Sequence, residues 1–447
     1  MYSLKIWELV FILIGSFLLL LPNESLSSPL SSSDPSSYTN FLEKRYAEHH
    51  EFYEYHEFHD SNEYHEKSYN IKITKGPYAP DGFKRDVYLV NGQFPGPPIE
   101  CNKGDVLVIN VENHLNEDTT IHSHGIFQRG TPWYDGVPGQ TQGGIPPHKK
   151  FSYKFKVDQS GTYWYHSHSR AQYTEGLLGP LIVHDPNDPY LHEYDEEIIV
   201  ILQDWYHTDS KTLLATFLSP ESEGNEPDPD NGLINGKNSY NCSWAPDDLE
   251  LLIPVEGMMT KRHTVHRLPI NIAQPTNLNP LIKAIVEYDG CDNKNPSSTA
   301  WSDDVENCVD LNAKDLKPYK PQKVPKVDRK IEITINFKPD ENNVTLGYIN
   351  NSTYKIDIKN PTLYKVFDGV KTFDADQNAF ILEKDGEHGH AFWLLGTGVN
   401  GTTLDYKKLN TKDPIQRDVT TVPAGGWAVF RFVADNPGVW GFHCHIE

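Results

Sequence analysis

From residue 69 onward the sequence is written in short β-type runs with no helical period, and this limits the fold more than any other feature. DVLVINVENHL (105–115), KFSYKFKVDQ (150–159), TYWYHSH (162–168) and LGPLIVHD (178–185) are rich in Val, Ile, Tyr and Phe, and often alternate. Gly, Pro, Asn and Asp punctuate them, which is how strands and tight turns are written. The same texture returns in EEIIVILQDWY (196–206), KIEITINFKP (330–339) and GWAVFRFVADNPGVWGFHCH (426–445). The expected fold class is all-β, sandwich or barrel. Three β-domains are expected, at 69–187, 188–322 and 323–447, the middle one short for its kind.

The segments before residue 69 read differently. Lys5 precedes an apolar run from Leu9 to Leu21, followed by small polar residues. That is the layout of a signal peptide, expected at 1–27 with cleavage near Ser27. The run is short for a membrane span, and no later segment approaches one. Residues 28–68 are low in complexity: Ser and Pro first, then a Glu/His/Tyr stretch holding His49, His50, His56, His59 and His65. Without apolar periodicity it is expected to be disordered. A solvated tail and a weak metal-binding tail are both open readings. The Lys44-Arg45 pair is either a processing site or two charges on a tail.

The 447 residues carry a formal net charge of −22, which argues against nucleic acid and anionic membrane surfaces as partners. Sequons at Asn241, Asn343, Asn350, Asn351 and Asn400 agree with export, so a secreted, extracellular glycoprotein is expected. The oligomeric expectation is a monomer. The five cysteines are Cys101, Cys242, Cys291, Cys308 and Cys444. An odd count in an exported chain points to one thiol with another task. The remaining four allow two disulfide bonds, with Cys291–Cys308 the expected short loop.

Four His-x-His elements stand out: His122-Ser-His124, His166-Ser-His168, His388-Gly-His390 and His443-Cys-His445. With 20 histidines in this chain, roughly one such spacing is expected by chance. On a strand, residues i and i+2 face the same side, so each element can aim two imidazoles at one place. One pair alone is more often a surface pair than a ligand set; several pairs beside Trp/Tyr-rich strands reverse that. Imidazole suits copper, zinc, iron and nickel. In His443-Cys444-His445 the thiolate faces one way and both imidazoles the other. Soft thiolate with imidazole is the ligand choice of blue-copper electron transfer. Structural zinc rarely combines this many histidines with one cysteine.

These residues resemble the multicopper oxidases, with a texture nearest to fungal-type laccases. The carrying segments are NGQFPGPPIECNKGD (91–105), HSHGIFQRGTPWYDGVPGQTQ (122–142), GTYWYHSHSRAQYTEGLLGPLIVHD (161–185) and RDVTTVPAGGWAVFRFVADNPGVWGFHCHIE (417–447). The resemblance covers about 70–447. It implies three cupredoxin-like Greek-key domains and four coppers per chain. It also implies a type 1 copper that takes electrons from a substrate, and a trinuclear cluster, between first and last domains, that reduces dioxygen to water. By motif position, His122 resembles a type 2 ligand. His124, His166, His168, His388, His443 and His445 resemble type 3 ligands. Cys444 resembles the type 1 thiolate and catalytic electron bridge, while His390 matches a position that follows the ligands. Phenols or aromatic amines are the implied reducing substrates, with Fe(II) as the alternative. The resemblance also implies an acidic residue near the type 1 site that receives the phenol proton; Asp135 and Glu175 lie in recognisable segments, with that role and the shaping of turns both open.

Three departures from the family pattern are visible. Glu383 stands where a type 1 histidine belongs, and Gly386 where the second type 2 histidine belongs. The sequence ends at Glu447, before the family's last type 1 ligands, and VHRLPINIAQ (265–274) runs into PTNLNP where a strand is expected. Either the gene product is incomplete or the chain has diverged. The expectation is that the literal chain is inactive as a laccase while its parent gene encodes an active one, with an inactive copper-binding protein of the same fold as a further alternative.

Overall fold

The structure is a computed structural model that describes residues 65–194, 197–238, 313–377, 379–381 and 389–444, with short strands at 3–7, 264–265 and 284–285. Strand β1 (Ser3–Trp7) falls in the expected leader, and its backbone pairs antiparallel with a strand near residue 334, a pairing of the uncleaved chain. The rest of the leader and the Ser/Pro and Glu/His/Tyr segments to residue 64 lie outside the described residues.

The first β-region contains β2 (Glu66–Tyr78), β3 (Arg85–Val90), β4 (Ile99–Asn102), β5 (Val106–Asn113), β6 (His122–His124), β7 (Lys150–Lys156), β8 (Gly161–His166) and β9 (Leu178–His184). They form two four-stranded sheets, ordered β3-β2-β5-β7 and β4-β9-β8-β6. Strand β7 shows why: Phe151, Tyr153 and Phe155 point inward and are buried, while Lys150 and Ser152 point out. The period of two places each aromatic ring in the core. Ile71, Ile73, Leu107, Ile109, Val111, Leu181 and Val183 join them between the sheets. Each such side chain contributes about 1.5–3 kcal/mol on burial.

The middle region holds β10 (Leu202–Trp205), helix α1 (Ser210–Phe217), β11 (Asn231–Ile234), β12 (Thr264–Val265) and β13 (Ala284–Ile285). Strands β10 and β11 pair antiparallel, and Trp205 and Leu233 pack on Val87 and Phe94 of the first region. Helix α1 begins where the Asp209 carboxylate accepts from the Thr212 backbone N–H, a local signal within a β-rich text.

The third region contains β14 (Glu332–Pro339), β15 (Thr345–Ile349), helix α2 (Thr362–Phe367), β16 (Phe392–Gly398), β17 (Gln416–Arg417) and β18 (Trp427–Arg431). Its sheets are β1-β14-β15 and β17-β16-β18. Ile333, Leu394, Ala428 and Phe430 form one core cluster; Val324, Trp393, Leu395 and Val429 form another. Leu363 of α2 and Val439 leave these clusters and enter the core of the first region. The two ends of the chain therefore share apolar packing. Among the described residues, no helix is long and apolar enough to cross a membrane.

Cys101 corrects the expectation of two disulfide bonds. It is a free thiol on the inward face of β4, 2% exposed in the first core. Burial, reinforced by the nearby Asp105 charge, pushes its pKa to about 12, so it behaves as a small apolar side chain. The expected Cys291–Cys308 pair and Cys242 lie outside the described residues.

Candidate metal centre

Strands β6 and β8 pair antiparallel with His122 opposite His166 and His124 opposite Trp164. The two-residue strand period puts His122 and His124 on one face, with Ser123 buried between them. His166 closes β8 and is fully buried; His168 follows two residues later. Ring centroids lie 5.4 Å apart for His122–His124, 5.3 Å for His122–His166 and 5.5 Å for His122–His168. One nitrogen from each of His122, His124 and His166 falls within 4.8 Å of the others.

Backbone carbonyls decide which nitrogens are available. The Nδ1 of His122 donates to the Asp135 carbonyl at 2.5 Å, and the Nδ1 of His166 donates to the Ser167 carbonyl at 2.8 Å. A proton held at Nδ1 leaves the Nε2 lone pair free for a metal. The Nε2 of His166 then faces Nδ1 of His124 at 3.3 Å. Burial first, and the neighbouring His122 next, hold the His166 pKa well below its ordinary value, so this imidazole is neutral. Imidazoles converging in a partly buried site suit a soft or borderline metal such as copper. The 3.3 Å between His124 Nδ1 and His166 Nε2 falls within the ~4 Å that two imidazoles bound to one ion can span.

The surroundings hold this arrangement. Trp164 stacks on His166 at 4.0 Å, and Tyr173 meets His166 edge-on at 5.3 Å. Ser167 donates to Gln172 Oε1 at 2.7 Å, and Thr119 donates to the same oxygen at 2.8 Å, which fixes the loop after β8. Gly136, at φ +83°, is required: a Cβ there would stand 2.1 Å from the Ile121 carbonyl. Only glycine lets the Trp133–Gly136 turn lie against β6 and bring Asp135 to His122.

The third region supplies His443. Its Nδ1 donates to the Cys444 carbonyl at 2.8 Å, and its Nε2 faces Nε2 of His168 at 3.5 Å. Cys444 is an exposed free thiol. Residues 441–444 are not in a strand, and the facing expected of His443 and His445 about Cys444 involves His445, outside the described residues. His390 stands apart from the cluster, with Nε2 3.3 Å from the Asp435 carboxylate. His388, His445, Glu383 and Gly386 lie outside the described residues.

Two acidic residues do more than shape turns. The Asp135 carboxylate is buried and lies 3.4 Å from His122 Nδ1. Glu175 is buried and pairs with Arg85 at 2.7 Å and Lys75 at 3.2 Å, and accepts from the Ser210 backbone N–H. It ties the loop after β8 to β2, β3 and the start of α1. No local pattern marks either role, since each depends on partners distant in sequence.

A β-rich chain that gathers histidines from both ends onto one site is a copper oxidoreductase architecture, and the comparisons agree. Three multicopper oxidase family models match residues 72–188, 196–300 and 387–447. The chain belongs to the multicopper oxidase family, and copper is its cofactor. Laccase-1 of Cryptococcus neoformans var. grubii is 32% identical over 85% of this chain and 78% of its own length. The iron transport multicopper oxidase fetC of Epichloe festucae is 35% identical over 82% of this chain and 72% of its own. Among solved structures, the laccase of Botrytis aclada matches with a TM-score of 0.67 at 28% identity, covering 83% of this chain and 84% of that one. Fet3p, described as a multicopper oxidase that functions in iron import, matches at 0.68 and 26% identity, covering 85% and 88%. The cupredoxin-type fold expected from the resemblance is thereby shown.

Proposed function

We propose that this chain is of laccase type, an oxidase that takes single electrons from phenols or aromatic amines and passes them to dioxygen, with turnover by the literal chain limited by Glu383 and Gly386 at two ligand positions. The observation that carries the reading is the meeting of His122, His124, His166 and His168 with His443 at one site. Four donors each lose one electron and one proton, and one dioxygen gains four of each to give two waters. Bound copper supplies the one-electron redox chemistry.

The protein's part is placement. His122, His124, His166, His168 and His443 hold the cluster, with His388 and His445 assigned to it by motif position. Cys444 would hold the copper that supplies one-electron acceptance from the substrate, and its peptide bond to His443 joins that position to the histidine cluster. Carbonyls at Asp135, Ser167 and Cys444 fix the imidazole tautomers. Trp164 and Tyr173 cover His166 and exclude water from its face. Export belongs to the same proposal, supported by the apolar run at 9–21 and by the sequons.

A second reading, oxidation of Fe(II), is favoured by the iron transport relative at 35% identity and by the acidic balance of the chain. The test is oxygen consumption by the copper-loaded chain with a phenol and with Fe(II), under identical conditions. Faster turnover of the phenol supports the laccase reading; preference for Fe(II) replaces it. Copper binding without turnover of either substrate leaves a copper-binding protein.

A further inference from the structure

The loop Gly125–Arg129 follows His124 directly and lies where the third β-region meets the first. Two residues of the third region approach the Phe127 carbonyl there. Asn436, fully buried, donates to it from Nδ2 at 2.6 Å. Gly389 lies against the same carbonyl: a Cβ at 389 would stand 1.9 Å from Phe127 O, and its φ is +78°. The flanking residues repeat the connection. Arg129 donates to the Asp435 carbonyl at 3.2 Å, and His390 Nε2 lies 3.3 Å from the Asp435 carboxylate. The loop is also fixed from its own side. Phe127 N–H donates to Gln159 Oε1 at 2.8 Å, and Gln159 Nε2 donates to the Gly125 carbonyl at 2.6 Å.

We propose that Asn436 and Gly389 are positioning residues that use the Phe127 carbonyl to set the register of the third region's copper-binding histidines against those of the first. The inference rests on the functional reading above. Phe127 is three residues past His124, and Gly389 is bonded to His388. A backbone carbonyl is a hard stop: it does not rotate away as a long side chain does. A hydrogen bond from one residue and a missing Cβ at the other, both on the same carbonyl, therefore restrict the separation of the two segments. Neither residue is a ligand, so their effect reaches copper only through placement, and residues in such a supporting shell govern metal affinity strongly.

The test compares the full chain with Asn436→Asp, Asn436→Ala and Gly389→Ala. Asn436→Asp keeps size and turns the donor into an acceptor facing the carbonyl. Each protein is loaded with copper and dialysed against a chelator. Copper per chain and the copper absorption and EPR signals are then measured, with amide exchange of 125–129 followed in the copper-free chain. The expected result is retention weakened about 10–100-fold, altered copper spectra and faster exchange at 125–129, with protection of β5 and β7 unchanged. Retention and spectra equal to the parent in folded Asn436→Asp overturn the inference, even if Gly389→Ala fails to fold. A parent chain that retains no copper overturns the functional reading and this inference with it.

Discussion

His168 of the first β-region and His443 of the third, 275 residues apart, face each other through their Nε2 atoms at 3.5 Å. The contact carries the functional reading because neither region holds both rings alone. It is supported by Leu363 and Val439 of the third region, which enter the first core. Apolar packing supplies the association, and the histidines use the geometry it fixes.

Since these two rings act as one unit, their removal is expected to be non-additive. His168→Ala and His443→Ala should each lower copper per chain, and the double variant should lower it little further. Mass spectrometry of the copper-loaded proteins reads this directly. Independent, additive losses would place the two histidines in separate sites.

Trp205 is fully buried between the first and middle regions, in edge contact with Phe94 at 5.3 Å and under the Arg85 guanidinium at 5.0 Å. Trp205→Ala should cost about 3–5 kcal/mol through the lost transfer energy and the cavity left behind. Denaturant unfolding of parent and variant measures it. A change under 1 kcal/mol would show that the middle region does not depend on this side chain.

Asp209 caps α1. The Thr212 hydroxyl, with the Thr212 backbone N–H, holds its carboxyl below the usual carboxylate range. A depressed folded-state pKa means stability that is fully present above the unfolded value, about 3.9, and lost as pH falls through the folded one. Amide exchange at 213–217 should therefore accelerate, after correction for intrinsic rates, only as pH drops below about 4. Asp209→Ala should abolish that dependence and weaken the helix by about 1 kcal/mol. An unchanged pH profile in Asp209→Ala would assign the effect to another carboxylate.

Strand β7 shows what local sequence carries. Its Phe-x-Tyr-x-Phe alternation fixes period and buried face because both follow from backbone geometry alone. The paired spacing of His122 and His124 has the same basis. Asp135 shows the limit: its approach to His122 depends on Gly136 meeting the Ile121 carbonyl across a turn. Cys101 shows another limit: cysteine counting expected it to be bonded, and the inward face of β4 made it core.

The sequence by itself determined the β-class, the alternating cores and the supply of imidazoles and a thiol, since these follow from strand period and side-chain chemistry. Only the tertiary structure decided which rings meet, which nitrogen each one offers, and that Gly389 and Asn436 both meet the Phe127 carbonyl. The meeting of His168 with His443 and of Asn436 with Phe127 joins segments hundreds of residues apart, and even the short-range carbonyl contacts that fix the nitrogens depend on backbone paths no local pattern encodes.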